Sequence, residues 1–234
     1  MAQDGLAAFE PAFADELAVI MEWAFSYLQR NGEGDQDERT WLRDETGGSV
    51  YLRLSTNPIE QPGRRVDQAF RQGAIDGGYW LRKPGPNCEL VIAYQGVIAP
   101  EAIRAAGLIG DGRRDVGVLA VTSADRLNAG WTAAQRARAR GRRDALSHVE
   151  RLLAALPSHC HLVTVIDGHP ATLAWLGSVQ GHRTIPLGVE HFGQTGTIGD
   201  LYNHFGISAE SIVQKVGGLT VGPRMAQATW ALMP

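Results

Sequence analysis

The sequence predicts an α/β fold: a mostly parallel open sheet with helices on both faces and one antiparallel strand. From Cys88 onward, β-branched apolar runs alternate with runs of helical periodicity, an order typical of parallel sheets. A short strand-like run at residues 79–83 precedes the first of these too closely for a parallel crossover, so we expect it to pair antiparallel beside that run. The chain has 234 residues, 44% hydrophobic and 20% charged, which suffices for a sizeable core.

One helix and one strand are predicted before the linker. Apolar side chains recur at three- and four-residue steps from Pro11 to Gln29, which predicts a helix. Ser49–Thr56 alternates apolar and polar residues and predicts a strand. No upstream partner strand is predicted for it, so we expect it to dock on a neighbouring molecule. Residues 57–66 hold two prolines and a glycine and are predicted to be a linker, with a short helix after it.

Four apolar runs supply the predicted parallel strands, and a helical run follows each. The strands are CELVIAYQG, DVGVLAVTS, CHLVTVIDG and RTIPLGV. The helices are APEAIRAAGLI, ALSHVERLLAALP, HPATLAWLGSVQ and, after the last strand, GTIGDLYNHFG with SAESIVQKVGG. The stretch between the second strand and its helix is predicted to be irregular.

That stretch is strongly basic from Arg136 to Arg143. A phosphate- or RNA-binding patch is one interpretation. A solvated helix face or docking loop is favoured, because the net charge of the chain is -3 and no aromatic residues interleave the arginines. No apolar run reaches the roughly 18 residues of a membrane-spanning helix. Neither a nucleic acid nor a membrane is therefore predicted as a partner.

Two cysteines, Cys88 and Cys160, each open an apolar run. Both are predicted to be buried thiols, which favours a reducing, cytoplasmic compartment.

The stretch Gly188–Thr195, GVEHFGQT, has the spacing of a phosphate-binding P-loop but carries Gln194 at the position of the lysine. It also follows the last strand, whereas a P-loop follows the first strand of its sheet. A glycine-rich turn from strand to helix, with Thr197 as the helix N-cap, is therefore favoured over nucleotide binding.

Histidines and a cysteine cluster at His159-Cys160-His161, with His169 downstream. Side chains alternate faces along a strand, so Cys160 cannot share a face with its neighbours, and structural histidines are favoured over a metal site. Asp167 and His169 follow a strand and open a helix, where open α/β sheets place their ligand loops. A functional Asp-His pair is possible there, but no serine or cysteine nucleophile lies in range.

Five segments carry a resemblance to a known family. They are FEPAFADELAVIM, GSVYLRLST, RQGAIDGGYWLRK, HVERLLAALP and PLGVEHFGQTGTIGDLYNHFGISAESIV. In this order they resemble the C-terminal part of thiamine-diphosphate enzymes of the transketolase superfamily, most of all the homodimeric first component of the pyruvate dehydrogenase complex. The last segment is the most specific, and its signature residues are Phe192, Gly193, Thr195, Gly196, Leu201, Phe205 and Gly206.

The resemblance implies the domain organisation. Residues 1–56 would be the tail of a pyrimidine-binding domain, 57–66 a linker, 67–220 a transketolase-like C-terminal domain, and 221–234 a C-terminal tail. It also implies an intact parent enzyme, a homodimeric oxidoreductase of central carbon metabolism. That enzyme would bind thiamine diphosphate and Mg²⁺ and pass an acyl group from a 2-oxo acid to a lipoyl-bearing acyltransferase.

The metal motif of that superfamily is GDG followed at a longer spacing by an asparagine. Gly110-Asp111-Gly112 is followed by Asn128, which is too close. We therefore expect no catalytic, cofactor-binding or metal-binding residue in this chain, and a structural and dimerisation role instead.

Two alternatives stay open. The turn Gln194-Thr195-Gly196 is closer to that of transketolases than to that of the dehydrogenases, so the parent could instead transfer two-carbon ketol units between sugar phosphates. The chain could also be a stand-alone assembly or anion-binding module that holds an anion at the backbone amides of Gly193–Thr197.

Overall fold

The computed structural model describes residues 5–32, 44, 46–110 and 115–217, which form two parallel-strand units. The smaller consists of β1 (Leu6–Phe9), α1 (Ala14–Leu28) and β2 (Ser49–Leu52). The larger consists of α2 (Gln68–Asp76), β3 (Gly78–Arg82), β4 (Leu90–Gln95), α3 (Ala99–Gly110), β5 (Val116–Val121), α4 (Ala124–Ala139), α5 (His148–Leu153), β6 (His161–Ile166), α6 (Ala171–Ala174), β7 (Thr184–Leu187) and α7 (Ile198–Phe205). Residues 209–217 are again helical.

The larger sheet has the strand order β3-β5-β4-β6-β7, and all of its pairs are parallel except β3 with β5. The predicted α/β class with one antiparallel strand is therefore confirmed. The expected neighbour of that strand is wrong: β3 pairs with β5, in the register Gly78↔Val121, and not with β4. β4 is central and already has a parallel strand on each side, so β3 can join the sheet only beside β5.

Apolar cores lie on both faces of this sheet. Ile92 and Tyr94 of β4 belong to one core, together with the alanines of α3. Val91 and Ala93, the alternate residues of the same strand, belong to the other core. That second core also holds Leu127 of α4, Leu153 of α5 and Leu173 of α6. Helices therefore cover both faces, as the alternating sequence pattern predicts.

Helix α4 replaces the irregular stretch predicted after the second strand. It begins after Ser123, whose side-chain oxygen accepts a hydrogen bond from the amide of Arg126 at 3.1 Å. Its buried stripe is built mostly from alanines, including Ala129, Ala134 and Ala137. Alanine has the highest helix propensity but contributes little to hydrophobic periodicity, which explains why the pattern did not reveal this helix.

The N-terminal unit contains one strand that was not predicted. β1 pairs in parallel with β2 in the register Leu6↔Ser49, so the expectation that Ser49–Thr56 has no partner strand upstream in the chain is wrong. The strand also ends at Leu52, before the predicted boundary. β1 is only four residues long, which is too short for its alternation to identify it.

The predicted linker has irregular backbone, but its Arg64 is firmly held. The guanidinium donates two hydrogen bonds of 2.6 Å to the carboxylate of Asp15. It also lies over the rings of Phe70 and Tyr79, at 4.3 and 5.0 Å from their centroids. The segment is therefore anchored to both α1 and the larger sheet.

A buried carboxylate on α1 extends this anchor. Glu16 accepts hydrogen bonds from the amides of Ala12 at 2.6 Å and Phe13 at 3.1 Å, and a third from the hydroxyl of Tyr79. Burial raises the pKa of Glu16, and the hydrogen bonds from Tyr79 and the two amides oppose that rise. Three donors therefore depend on this one side chain.

Glu16→Gln is expected to lower the free energy of unfolding by about 2–4 kcal/mol, because the new amide NH₂ faces hydrogen-bond donors and leaves at least one buried group unpaired. Urea denaturation of the two proteins measures the difference. Glu22→Gln on the same helix is the matched control, since Glu22 is exposed and pairs with exposed Arg71. Its effect should stay within about 0.5 kcal/mol. Equal effects of the two substitutions would contradict the conclusion that three hydrogen-bond donors depend on Glu16.

Candidate functional site

The candidate site is the crevice at the carboxyl ends of β4 and β6. These strands are neighbours, but α3 packs in one core after β4 and α6 packs in the other after β6. Open parallel sheets bind ligands where adjacent connections leave on opposite faces in this way. Gln95 ends β4 and Asp167 follows β6, so these residues mark the two sides of the crevice.

Two side chains of the N-terminal unit enter this crevice, Glu10 buried and Arg53 with 45% of its side chain exposed. The carboxylate of Glu10 pairs with the guanidinium of Arg53 and accepts a hydrogen bond of 3.0 Å from the side-chain amide of Gln95. Arg53 also donates to the backbone carbonyl of Asp167 at 2.7 Å. The side-chain oxygen of Gln95 accepts from the amide of Ala124 at 3.2 Å. A closed polar network therefore occupies the position that a ligand would take.

Burial is the main electrostatic influence on Glu10. It raises the pKa of this carboxyl, while the hydrogen bond from Gln95 and the charge of Arg53 lower it. Gly96 makes the close approach possible. Its φ is +73°, and a Cβ at this position would overlap the Glu10 carboxylate.

Beside the network lies an open cavity of about 260 Å³. Its lining includes the polar residues Ser55, Asn57, Asp167 and Tyr202, together with the turn 191–194 and Phe205. Burial, with the nearby charges of Asp167 and Glu101, raises the pKa of Tyr202 to about 12. This hydroxyl is therefore protonated and able to donate at neutral pH.

Four of the signature residues line this cavity, namely Phe192, Gly193, Leu201 and Phe205. Phe192 is fully exposed, and Gly193 takes the left-handed φ of +104° that the turn requires. Leu201 and Phe205 lie half-buried on α7, and Gly206 ends that helix with a φ of +68°. Thr195 and Gly196 are exposed in the turn itself.

Thr197 is the N-cap of α7, as predicted. Its hydroxyl donates to the carboxylate of Asp200 at 2.7 Å, and its amide contacts the same carboxylate at 3.3 Å. A negative charge therefore already occupies the start of α7. This arrangement favours the glycine-turn interpretation of Gly188–Thr195 over phosphate binding, because a phosphate would be repelled by Asp200.

Cys160, with His159 and His161 on either side of it, lies at the opposite, amino end of the sheet. Cys160 is buried against Cys88, and His182 approaches the carbonyl of Cys160 at 3.1 Å through Nδ1. His169 lies at the carboxyl end, but its Nδ1 accepts from the amide of Ala171 at 3.3 Å, a local capping contact. Within the described residues, no three His, Cys, Asp or Glu side chains are grouped to hold a metal ion. Asp111 and Gly112 of the GDG sequence lie outside those residues.

The basic tract begins on the last turn of α4. There Arg138 pairs with Glu150 of α5 at 2.7 Å and donates to the carbonyl of Ala145 at 2.6 Å. Arg138 is therefore held against α5 and the segment before it.

No helix in the described part of the chain has the length and apolar character to span a bilayer.

Sequence reasoning missed Glu10, Arg53 and Gln95. They come from three distant segments, and no local spacing links them. The only sequence signal is Arg53 itself, a charged residue inside the apolar run SVYLRLST.

Known structures share this fold. No protein-family model matches the chain, and no curated protein matches it. Among solved structures, transketolase from Leishmania mexicana superposes with a TM-score of 0.60 at 20% identity, over 90% of this chain and 24% of that one. Transketolase from Campylobacter jejuni gives 0.54 at 16% identity, over 91% of this chain and 26% of that one.

A third structure, an inactive beta4 tetramer of a split-gene transketolase, gives a TM-score of 0.52 at 17% identity, over 91% of this chain and 56% of that one. The chain thus spans about a quarter of the length of two of these proteins and little more than half of the third. At these identities the similarity establishes the fold.

Thiamine diphosphate and Mg²⁺, the groups implied by the resemblance, do not fit this crevice, and no three metal-ligating side chains are grouped among the described residues to hold the ion. The crevice that could receive them is filled by Glu10 and Arg53. We therefore derive no reaction step in this chain through either group.

Gly96→Ala should destabilise the protein by at least about 2 kcal/mol, since the new methyl group combines an unfavourable φ with displacement of Glu10. Thermal unfolding measures the effect. Gly107→Ala is the control: Gly107 lies in α3 with open space around the position of a Cβ. That change should be neutral or stabilising by about 0.5–1 kcal/mol. A neutral Gly96→Ala would mean that the network is not closely packed.

Proposed function

We propose that this chain is the C-terminal part of a thiamine-diphosphate enzyme of the transketolase superfamily, with a structural role and no cofactor site of its own. The observation that carries the proposal is the filled crevice. Glu10 and Arg53 occupy the position where an open α/β sheet binds its ligand, which favours a domain that supports a catalytic centre formed elsewhere. The transketolase-like fold over 90% of the chain supports the same assignment.

For the parent reaction we propose the first component of a 2-oxo acid dehydrogenase, with pyruvate as substrate. The five sequence segments described above support this choice. The parent would use thiamine diphosphate and Mg²⁺ for its carbanion chemistry and pass an acyl group to a lipoyl-bearing acyltransferase in the cytoplasm. A transketolase is the alternative, and the names of the structures that share the fold favour it.

A stand-alone anion-binding module is less well supported. Its proposed anion would lie at the amides of Gly193–Thr197, next to the carboxylate of Asp200. Like charges at this distance disfavour binding.

We further propose that the outer edge of β2, which no strand among the described residues pairs with, joins two copies of the chain. The amides of Ser49 and Arg53 donate to β1, so the intervening Val50 and Leu52 turn their backbone N–H and C=O groups away from it. Tyr51 and Leu54 are each 55% exposed along the same segment. An antiparallel β2–β2 contact across a twofold axis would satisfy these groups and cover both side chains.

The isolated chain is expected not to bind thiamine diphosphate. Isothermal titration calorimetry with millimolar thiamine diphosphate and Mg²⁺ should give only the heat of dilution. A thermal melt under the same conditions should leave Tm unchanged. Tight stoichiometric binding would refute the proposed role, because it would require a cofactor site that the filled crevice does not offer.

The β2 edge is expected to mediate dimerisation. Light scattering should give a dimer for the chain, and the double variant Tyr51→Glu/Leu54→Glu should weaken it at least about tenfold, since charges oppose an edge contact. Leu108→Glu, on the exposed side of α3 with 48% exposure, is the matched control and should remain dimeric. A clean monomer at high concentration would contradict this contact without affecting the cofactor prediction.

A further inference from the structure

The two cysteines of the chain touch each other at the amino ends of β4 and β6. Cys88 precedes β4 by two residues and Cys160 immediately precedes β6, and the strands pair in the register Leu90↔His161. The sulfur atoms are 3.8 Å apart, and the two side chains are 0% and 1% exposed. They are 72 residues apart in sequence, so only the fold brings them together.

The contact divides the two sulfurs into unlike roles. The Cys160 thiol donates to the sulfur of Cys88, which lowers the pKa of Cys88 to about 7 against the opposing effect of burial. The same hydrogen bond, together with burial, raises the pKa of Cys160 well above its usual range. The two sulfurs therefore lie in unlike surroundings, with Cys160 as the donor and Cys88 as the acceptor of the hydrogen bond between them.

We propose that Cys88 and Cys160 form a redox-active dithiol that a hydroperoxide converts into an intramolecular disulfide. The Cys88 thiolate attacks the terminal peroxide oxygen, the O–O bond breaks, and the departing alkoxide or hydroxide takes a proton. Cys88 is then a sulfenic acid. The Cys160 sulfur attacks it, the S–O bond breaks, and the hydroxyl leaves as water with the Cys160 proton.

The electrons balance in this sequence. Two thiols lose two electrons in total, and the hydroperoxide gains two and becomes an alcohol and water. Both side chains are closed to solvent, so the oxidant has to be a small molecule that enters when the turns before β4 and β6 open locally. The neighbouring thiol also lies close enough to capture the sulfenic acid before a second peroxide reaches it.

The backbone around both cysteines allows the two sulfur atoms to move into bonding distance. A disulfide needs an S–S distance of about 2.05 Å, so the sulfurs must move closer by less than about 2 Å. Each cysteine lies in a turn before its strand: the amide of Cys88 donates to Gly85 at 3.2 Å and that of Cys160 to Pro157 at 2.9 Å. Neither residue is itself part of the sheet ladder.

The test treats the folded chain with hydrogen peroxide, removes the excess with catalase, and counts thiols by alkylation with N-ethylmaleimide after denaturation. We expect both thiols to disappear together, a mass decrease of about 2 Da in the monomer, and complete reversal by dithiothreitol. Closure of the long loop should raise Tm by roughly 10 °C.

Two variants separate the steps. Cys160→Ser should stop at a Cys88 sulfenic acid that dimedone traps, whereas Cys88→Ser should react at least about tenfold more slowly. Retention of both thiols in the wild-type protein would overturn the proposal. So would oxidation only in urea, disulfides between chains, or direct conversion of Cys88 to a sulfinic acid in the wild type.

Discussion

One buried carboxylate fixes how the two sheets of this molecule meet. Glu10 follows β1, and its side chain joins Arg53 at the end of β2 to Gln95 at the end of β4. Its amide also donates to the carbonyl of Thr122 after β5, at 2.7 Å. A carboxylate buried without such partners would be strongly unfavourable, so the two sheets can separate only by exposing the whole network to water. The filled crevice follows from this requirement.

A second polar joint, formed at the start of α1, supports the first. Arg64 and Glu16 share Tyr79 as a partner, and Asp15 holds the arginine at the start of the same helix. Glu10 and Glu16 lie six positions apart, so one short segment of the chain carries both joints. The irregular linker does not let the two units move apart freely, because the guanidinium of its Arg64 is enclosed by aromatic rings. The two joints make the N-terminal unit an integral part of the fold.

The sequence predicted those features that depend on local pattern. The parallel strands, the burial of Cys88 and Cys160, and the Thr197 cap all follow from periodicity or from one side chain and its neighbours. The partner of β3 could not be predicted in this way, because strand order depends on contacts between distant segments. For the same reason the site could not be predicted from the sequence, since Glu10, Arg53 and Gln95 become neighbours only after both sheets have formed. Helix α4 was missed for a different reason, since alanine gives a stable helix but a weak amphipathic signal.

The closed crevice can be regarded as a binding site with a tethered ligand. The Glu10–Arg53 pair belongs to the same chain as the sheet it occupies, so its effective concentration at the crevice is set by the connecting segment. For short connections this concentration is on the order of millimolar. A free metabolite at micromolar concentration would therefore compete poorly for this position, however well its shape and charge matched the crevice. Such competition would become possible only if the connection between the units were cut or greatly lengthened.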